Sequence, residues 1–263
     1  MTPVTSAGTL GRMSLVLLAV HEGVATLTLN NPAERNILTD EMVADMLAAM
    51  DEIESNPAVG AIVVAANGPA FCGGAKLESL MNASEEGLGR IYEGFLRIAR
   101  SELPTIAAVQ GPAVGAGMNL ALGCDVRLAA RRAKFDTRFL WLGIHPGGGH
   151  TWMFRRIAGP QATFAGAVFG EIFDGAEAER IGLAHRCYDD DQLLPAAQEM
   201  AARAAAAPRQ LVIEIKKSIK DMADISEHSA AVARELTPQV WSTQQPYFQE
   251  RVRQLQAQIS SKK

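Results

Sequence analysis

Apolar residues along this chain alternate between short, wholly apolar runs and longer stretches in which they recur every three or four positions. Residues 15–20 and Val24–Leu29 are β-rich runs separated by His21-Glu22-Gly23, which predicts an opening hairpin. Met42, Val43, Met46, Leu47, Met50 and Ile53 then recur at helical spacing behind Thr39 or Asp40 as N-cap, and that helix is expected to end near Asn56-Pro57. Ala61–Ala66 reads as a buried strand. Leu88, Ile91, Tyr92, Phe95 and Ile98 mark an amphipathic helix, and Thr105–Val109 and residues 125–130 read as further strands. A helix carrying Trp152, Met153, Phe154 and Ile157 follows. From about Leu193 the pattern turns all-helical: an Ala-rich helix to Ala207, a stop at Pro208, then runs containing Leu211, Ile213, Ile215 and Ile219. Residues 240–263 form a tail with almost no core-sized apolar stripe.

The strand-like and helix-like runs are joined by glycines. Phe71-Cys72-Gly73-Gly74-Ala75-Lys76-Leu77 and Gly111-Pro112-Ala113-Val114-Gly115-Ala116-Gly117 each lead from a strand into a helix, and residues 143–149 form a third glycine-rich turn. Such punctuation serves a tight turn and close helix packing. It also suits a second use. A helix begins with N–H groups that lack an intrahelical acceptor, so small residues there let an anionic oxygen approach, and two such donors aimed at one point would hold a developing oxyanion. Repeated strand, turn and helix imply an α/β core of residues 14–192, preceded by a flexible tail of residues 1–13 and followed by a helical region of residues 193–263.

Composition narrows the classes of function. The 263 residues are 48% hydrophobic, enough for a sizeable core, and the mean hydropathy is +0.04. A net charge of −4 with scattered Lys and Arg argues against a nucleic-acid partner. Cys72, Cys124 and Cys187 form no C-x-x-C pair and no even framework, which fits a reducing cytoplasm and excludes cysteine-held metal. No apolar run reaches the roughly 18 residues that a bilayer span needs, so neither membrane insertion nor a secretory leader is expected.

With these segments in view, the chain resembles the crotonase superfamily, the enoyl-CoA hydratase/isomerase family. The likeness runs through residues 24–32, 61–75, 104–117, 142–149 and 176–183, several ordered motifs spanning nearly the whole chain. It implies a spiral of ββα turns with a C-terminal helical trimerisation region, a homotrimer or dimer of trimers. It further implies an acyl-CoA thioester as substrate, with no metal and no cofactor beyond the coenzyme A of that substrate. Carried over position by position, the backbone donors of the family's oxyanion hole fall at Ala75 and Ala116. CoA contacts fall at Glu34, Arg35 and Ile37 and at Gly74, Lys76 and Leu77, with Val114 and Gly115 beside the second donor. Ala116 stands where the family usually has Gly, which narrows the pocket if its backbone is glycine-like.

The departures bear on the chemistry. Where hydratases of this family carry two glutamates, the chain has Asn119 and Phe139, neither of which exchanges a proton near neutral pH. Lys76 replaces the usual aspartate of the first segment, and the aspartate of certain dienoyl isomerases falls at Gly147. Glutamate-dependent hydration does not fit these residues. His145 and His150, flanking the third glycine turn, are the alternative acid/base groups; otherwise His150 caps the helix and His145 packs under the loop. Asp136 reads as an acid or, preferably, a helix cap. Tyr92 belongs to the apolar stripe, Glu93 to the solvated face and Cys72 to the buried thiols. Phe139 and Trp141, two apart on an expected strand, either line an apolar acyl pocket or face the core. Two functions follow: an enzyme of enolate chemistry in fatty-acid or related acyl-CoA metabolism, or a non-catalytic acyl-CoA carrier. A purely structural assembly role is a third.

Overall fold

The computed structural model describes residues 14–81 and 84–261; the expected tail of residues 1–13 lies outside the described residues. The elements follow the sequence pattern. The first half holds β1 (Val16–His21), β2 (Val24–Leu29), α1 (Asp40–Ser55), β3 (Ala61–Ala66), α2 (Leu77–Met81), α3 (Glu85–Ala99), β4 (Thr105–Val109), β5 (Pro112–Val114) and α4 (Ala116–Gly123). The second half holds β6 (Val126–Ala130), β7 (Lys134–Asp136), α5 (Phe139–Leu142), α6 (His150–Ala167), β8 (Phe173–Asp174), α7 (Gly175–Arg180), β9 (Arg186–Tyr188), α8 (Asp190–Ala205), α9 (Arg209–Asp221), α10 (His228–Thr243) and α11 (Pro246–Ser260).

Six strands form one sheet in the order β1-β2-β3-β4-β6-β9, parallel except for the opening hairpin, and β5-β7-β8 form a second sheet. Successive turns thus place one strand in the large sheet, a short one in the small sheet and then a helix: β4, β5, α4, followed by β6, β7, α5 and α6. An isolated bridge from Cys72 to Ala113 extends the small sheet to the turn after β3. This is the α/β spiral of ββα turns. The sheet has two buried faces because its strands alternate between them. Ala25, Leu27, Leu29, Ile62 and Val64 meet Met42, Met46, Phe95 and Ile98 on one side. Val24, Ala61, Val63 and Ala65 meet Leu193, Ala197 and Ala201 of α8 on the other.

That second face corrects the expected boundary at residue 193. The residue lies inside α8, which covers the sheet through small Ala positions and belongs to the core. α9 is pinned as well: the buried Lys216 donates from Nζ to Asp125 Oδ2 at 2.6 Å and to Leu103 O at 2.7 Å, while Thr105 N–H and Oγ1–H share the same carboxylate. Of the C-terminal helices in the described residues, α10 and α11 stand apart, with no buried residue of their own and with Leu236, Val240, Leu255 and Ile259 exposed.

Candidate active site

The first two glycine segments meet. Val114 N–H donates to Cys72 O at 3.0 Å and Cys72 N–H to Pro112 O at 3.2 Å, a short parallel pair that sets the two loops side by side. Their approach depends on missing side chains. A Cβ on Gly117 would lie 2.2 Å from Cys72 O, and one on Gly74, whose φ is +96°, would lie 2.7 Å from Val114 O and 3.8 Å from Ala116 N.

On the far side of the first glycine loop, Leu38 N–H donates to Gly74 O at 2.8 Å in a bridge centred on Ala75. A residue paired through its neighbours' peptide groups turns its own N–H to the opposite edge. For Ala75 that edge is the one where α4 begins. Ala116 opens α4 and its first intrahelical bond is Asn119 N–H to Gly115 O at 3.0 Å, so the Ala116 N–H precedes the helical ladder. Among the described residues neither Ala75 N–H nor Ala116 N–H has an acceptor. The positive φ of this turn falls on Gly115 at +51°, not on Ala116, so the methyl group of Ala116 sits on an ordinary backbone without strain.

Before these loops opens a cavity of about 940 Å³. Glu34, Arg35, Ile37, Gly74, Ala75, Lys76 and Leu77 line one part, and Val114, Gly115, Ala116, Asn119, Phe139, Trp141 and His145 line the rest. The loop that carries Glu34, Arg35 and Ile37 is held by Asn36, which the sequence pattern does not single out. Its backbone is left-handed, and its buried side-chain amide accepts from Asn31 N–H through Oδ1 and donates from Nδ2 to Asn67 O and Ala70 O, at 2.8 to 3.0 Å.

His150 is the exception among the sequence-based candidates. It does not line the cavity and it caps nothing: as the first residue of α6 it turns inward, 1% exposed, between the rings of Phe139 and Phe154 at 5.0 and 5.8 Å. Burial pulls its pKa down to about 4, so the ring is neutral near pH 7. Its Nδ1 lies 2.7 Å from Asn119 Oδ1, and Asn119 Nδ2 donates to Gly147 O at 3.0 Å. Since Nδ2 is committed to a carbonyl, Oδ1 accepts, His150 Nδ1 carries the proton and Nε2 is left a bare lone pair without a partner among the described residues.

Other expectations change too. Asp136 caps no helix; it is a buried strand residue whose carboxylate accepts from Arg138 Nε at 2.9 Å. Phe139 and Trp141 lie on the short helix α5, where residues two apart diverge, so Phe139 is half-buried while Trp141 is 79% exposed. Tyr92 does double duty, packing beside Phe95 yet lining the cavity. Glu93 is the solvated residue expected, paired with Arg100. Burial pushes the Cys72 thiol up to about 12, which removes it as a nucleophile.

A family model described as enoyl-CoA hydratase/isomerase matches residues 19–255. The chain belongs to the enoyl-CoA hydratase/isomerase family. It is 47% identical to the Mycobacterium tuberculosis protein named probable enoyl-CoA hydratase EchA14, over 90% of this chain and 95% of that one. It is 35% identical to the 1,2-epoxyphenylacetyl-CoA isomerase of Escherichia coli, over 79% and 82%. The fold superimposes on the crystal structure of an enoyl-CoA hydratase of Mycobacterium smegmatis with a TM-score of 0.85 at 28% identity, covering 93% of this chain and 96% of that one. In this family member the walls of the cleft differ in kind: backbone forms the one around Ala75 and Ala116, side chains the one around Asn119 and Tyr92.

Proposed function

We propose that the protein acts on an acyl-CoA thioester by stabilising its enolate, with Ala75 and Ala116 N–H as the two donors to the thioester oxygen. One observation carries this reading: two N–H groups without acceptors lie on loops that glycine brings into contact, at the wall of a cleft large enough for an acyl chain. A base removes a proton from C2, the C–H electron pair becomes the C1–C2 π bond and the carbonyl pair moves onto oxygen. Charge then grows where the donors wait, so they favour the transition state over the ground state. No metal or redox cofactor enters this scheme.

Arg35 and Lys76 at the mouth supply positive charge for the CoA phosphates. His145, exposed on the cavity edge with Nδ1 2.7 Å from Pro146 O, is the imidazole able to meet substrate; His150 acts by holding Asn119. Two-glutamate hydration is not part of the reading, because Asn119 and Phe139 occupy those positions. The exposed apolar faces of α10 and α11 are assigned to contact between subunits of a trimer, in a cytoplasmic protein.

The test follows deuterium uptake at C2 of a saturated acyl-CoA in D2O, beside loss of conjugation with crotonyl-CoA and a longer 2-enoyl-CoA. Exchange at C2 is expected, and His145→Ala should slow it. Tight binding of acyl-CoA without exchange would replace this reading by the second one, a non-catalytic acyl-CoA carrier, which the absence of both glutamates favours.

A further inference from the structure

Two donors of the cleft have a hydrogen that no acceptor among the described residues takes up, and both stand against Gly147. The Asn119 amide carries two hydrogens: one goes to Gly147 O, and the other has no acceptor among the described residues although Asn119 is 1% exposed and lines the cavity. Because His150 Nδ1–H occupies Oδ1, the amide cannot flip, and position 119 offers the cleft a donor only. Tyr92 Oη is the second group. A Cβ on Gly147 would fall 2.2 Å from it, so the phenol fills the space that a side chain at 147 would take, and it too has no partner within the described chain.

Asn119 lies three residues after Ala116 on α4, about 4.5 Å along the axis and on the same face. A group met by the Asn119 amide therefore sits within a few bonds of the thioester carbonyl, and Tyr92 Oη shares its Gly147 neighbour. A plain alkyl or alkenyl chain would cover both donors and offer them no acceptor, which a buried polar group does not tolerate well.

Building on the acyl-CoA reading above, we propose that the substrate is an acyl-CoA whose chain already bears an oxygen acceptor near C3, of carbonyl or ether type, held by Asn119 Nδ2–H and Tyr92 Oη–H. The pair selects for that oxygen and, as donors, favours a state in which charge develops on it. The pocket turns away chains that lack it because its own donors would then be stranded.

The experiment is calorimetric titration of the purified protein with CoA, butyryl-CoA and 3-oxobutyryl-CoA. The oxo compound is expected to bind at least tenfold tighter than butyryl-CoA, a gain on the scale of one or two buried hydrogen bonds. Tyr92→Phe, which keeps the ring packed on Phe95, should cut that ratio at least threefold. Equal binding of the two thioesters by the wild-type protein would overturn the inference and leave the acyl-CoA reading intact. A ratio unmoved by Tyr92→Phe would overturn the part given to the phenol. Failure of CoA and of both thioesters to bind would instead overturn the acyl-CoA reading, and this inference with it.

Discussion

The two walls of the cleft are made from different materials. Around Ala75 and Ala116 the functional groups are peptide N–H donors, held by backbone pairing and by close approaches that glycine alone permits. Around Asn119 and Gly147 they are side chains held by other side chains: His150 fixes Asn119, Asn119 fixes Gly147 O, and Tyr92 fills the space beside it. A backbone wall presents the same donors whatever the neighbouring side chains are. A side-chain wall changes its chemistry with one substitution, which is how positions 119 and 139 can hold an amide and a phenyl ring without disturbing the backbone donors.

The contrast breaks most readily at Gly117. Its missing Cβ would meet a backbone carbonyl in the core, so Gly117→Ala should cost at least about 3 kcal/mol or prevent folding, measured by urea denaturation. Gly149, which leads from the side-chain wall into α6, has open space around it and a φ of +80°; Gly149→Ala should cost only about 1 kcal/mol, the backbone penalty alone. If the two substitutions cost the same, the difference in construction is not what holds the walls.

His150 gives the next largest effect, and it depends on pH. The folded pKa is about 4 and the unfolded value about 6.5, so between them the unfolded chain binds a proton that the native protein refuses. The contribution is full above pH 6.5 and falls as pH drops towards 4, by about 3 kcal/mol in all. His150→Gln should flatten that part of the curve of stability against pH. A profile with the same slope in both proteins would mean that the imidazole is not held neutral. The smallest effect is that of Tyr92→Phe on stability. Removing a hydroxyl without a protein partner should shift the folding free energy by less than about 0.5 kcal/mol in a thermal or chemical melt, leaving its influence visible only on ligands.

The helices with strong periodicity, α1 and α3, and the buried strands were legible because period alone decides which face is apolar. The glycine loops were legible as turns, and the family resemblance implied the role proposed for their donors. His150 was not legible as a buried residue. Its position beside a glycine turn gives no sign that α6 turns it between two rings. Asp136, read as an acid or preferably a cap, lies instead at the end of β7 with Arg138 on its carboxylate, because the chain there runs as a strand before it turns into α5.

Local order came from the sequence by itself: the alternation of strands and helices, the glycines that close contacts require, and the absence of carboxylates at positions 119 and 139. These depend on short-range sterics and on the solvation of single side chains, which neighbours along the chain largely set. Tertiary structure alone decided which residues share a site. It brought Gly74 against Val114, α8 onto the second face of the sheet, and Tyr92, Asn119, Gly147 and His150 into one network across distant segments. Such contacts are chosen by how whole layers pack, and packing is a property of surfaces that no local pattern contains.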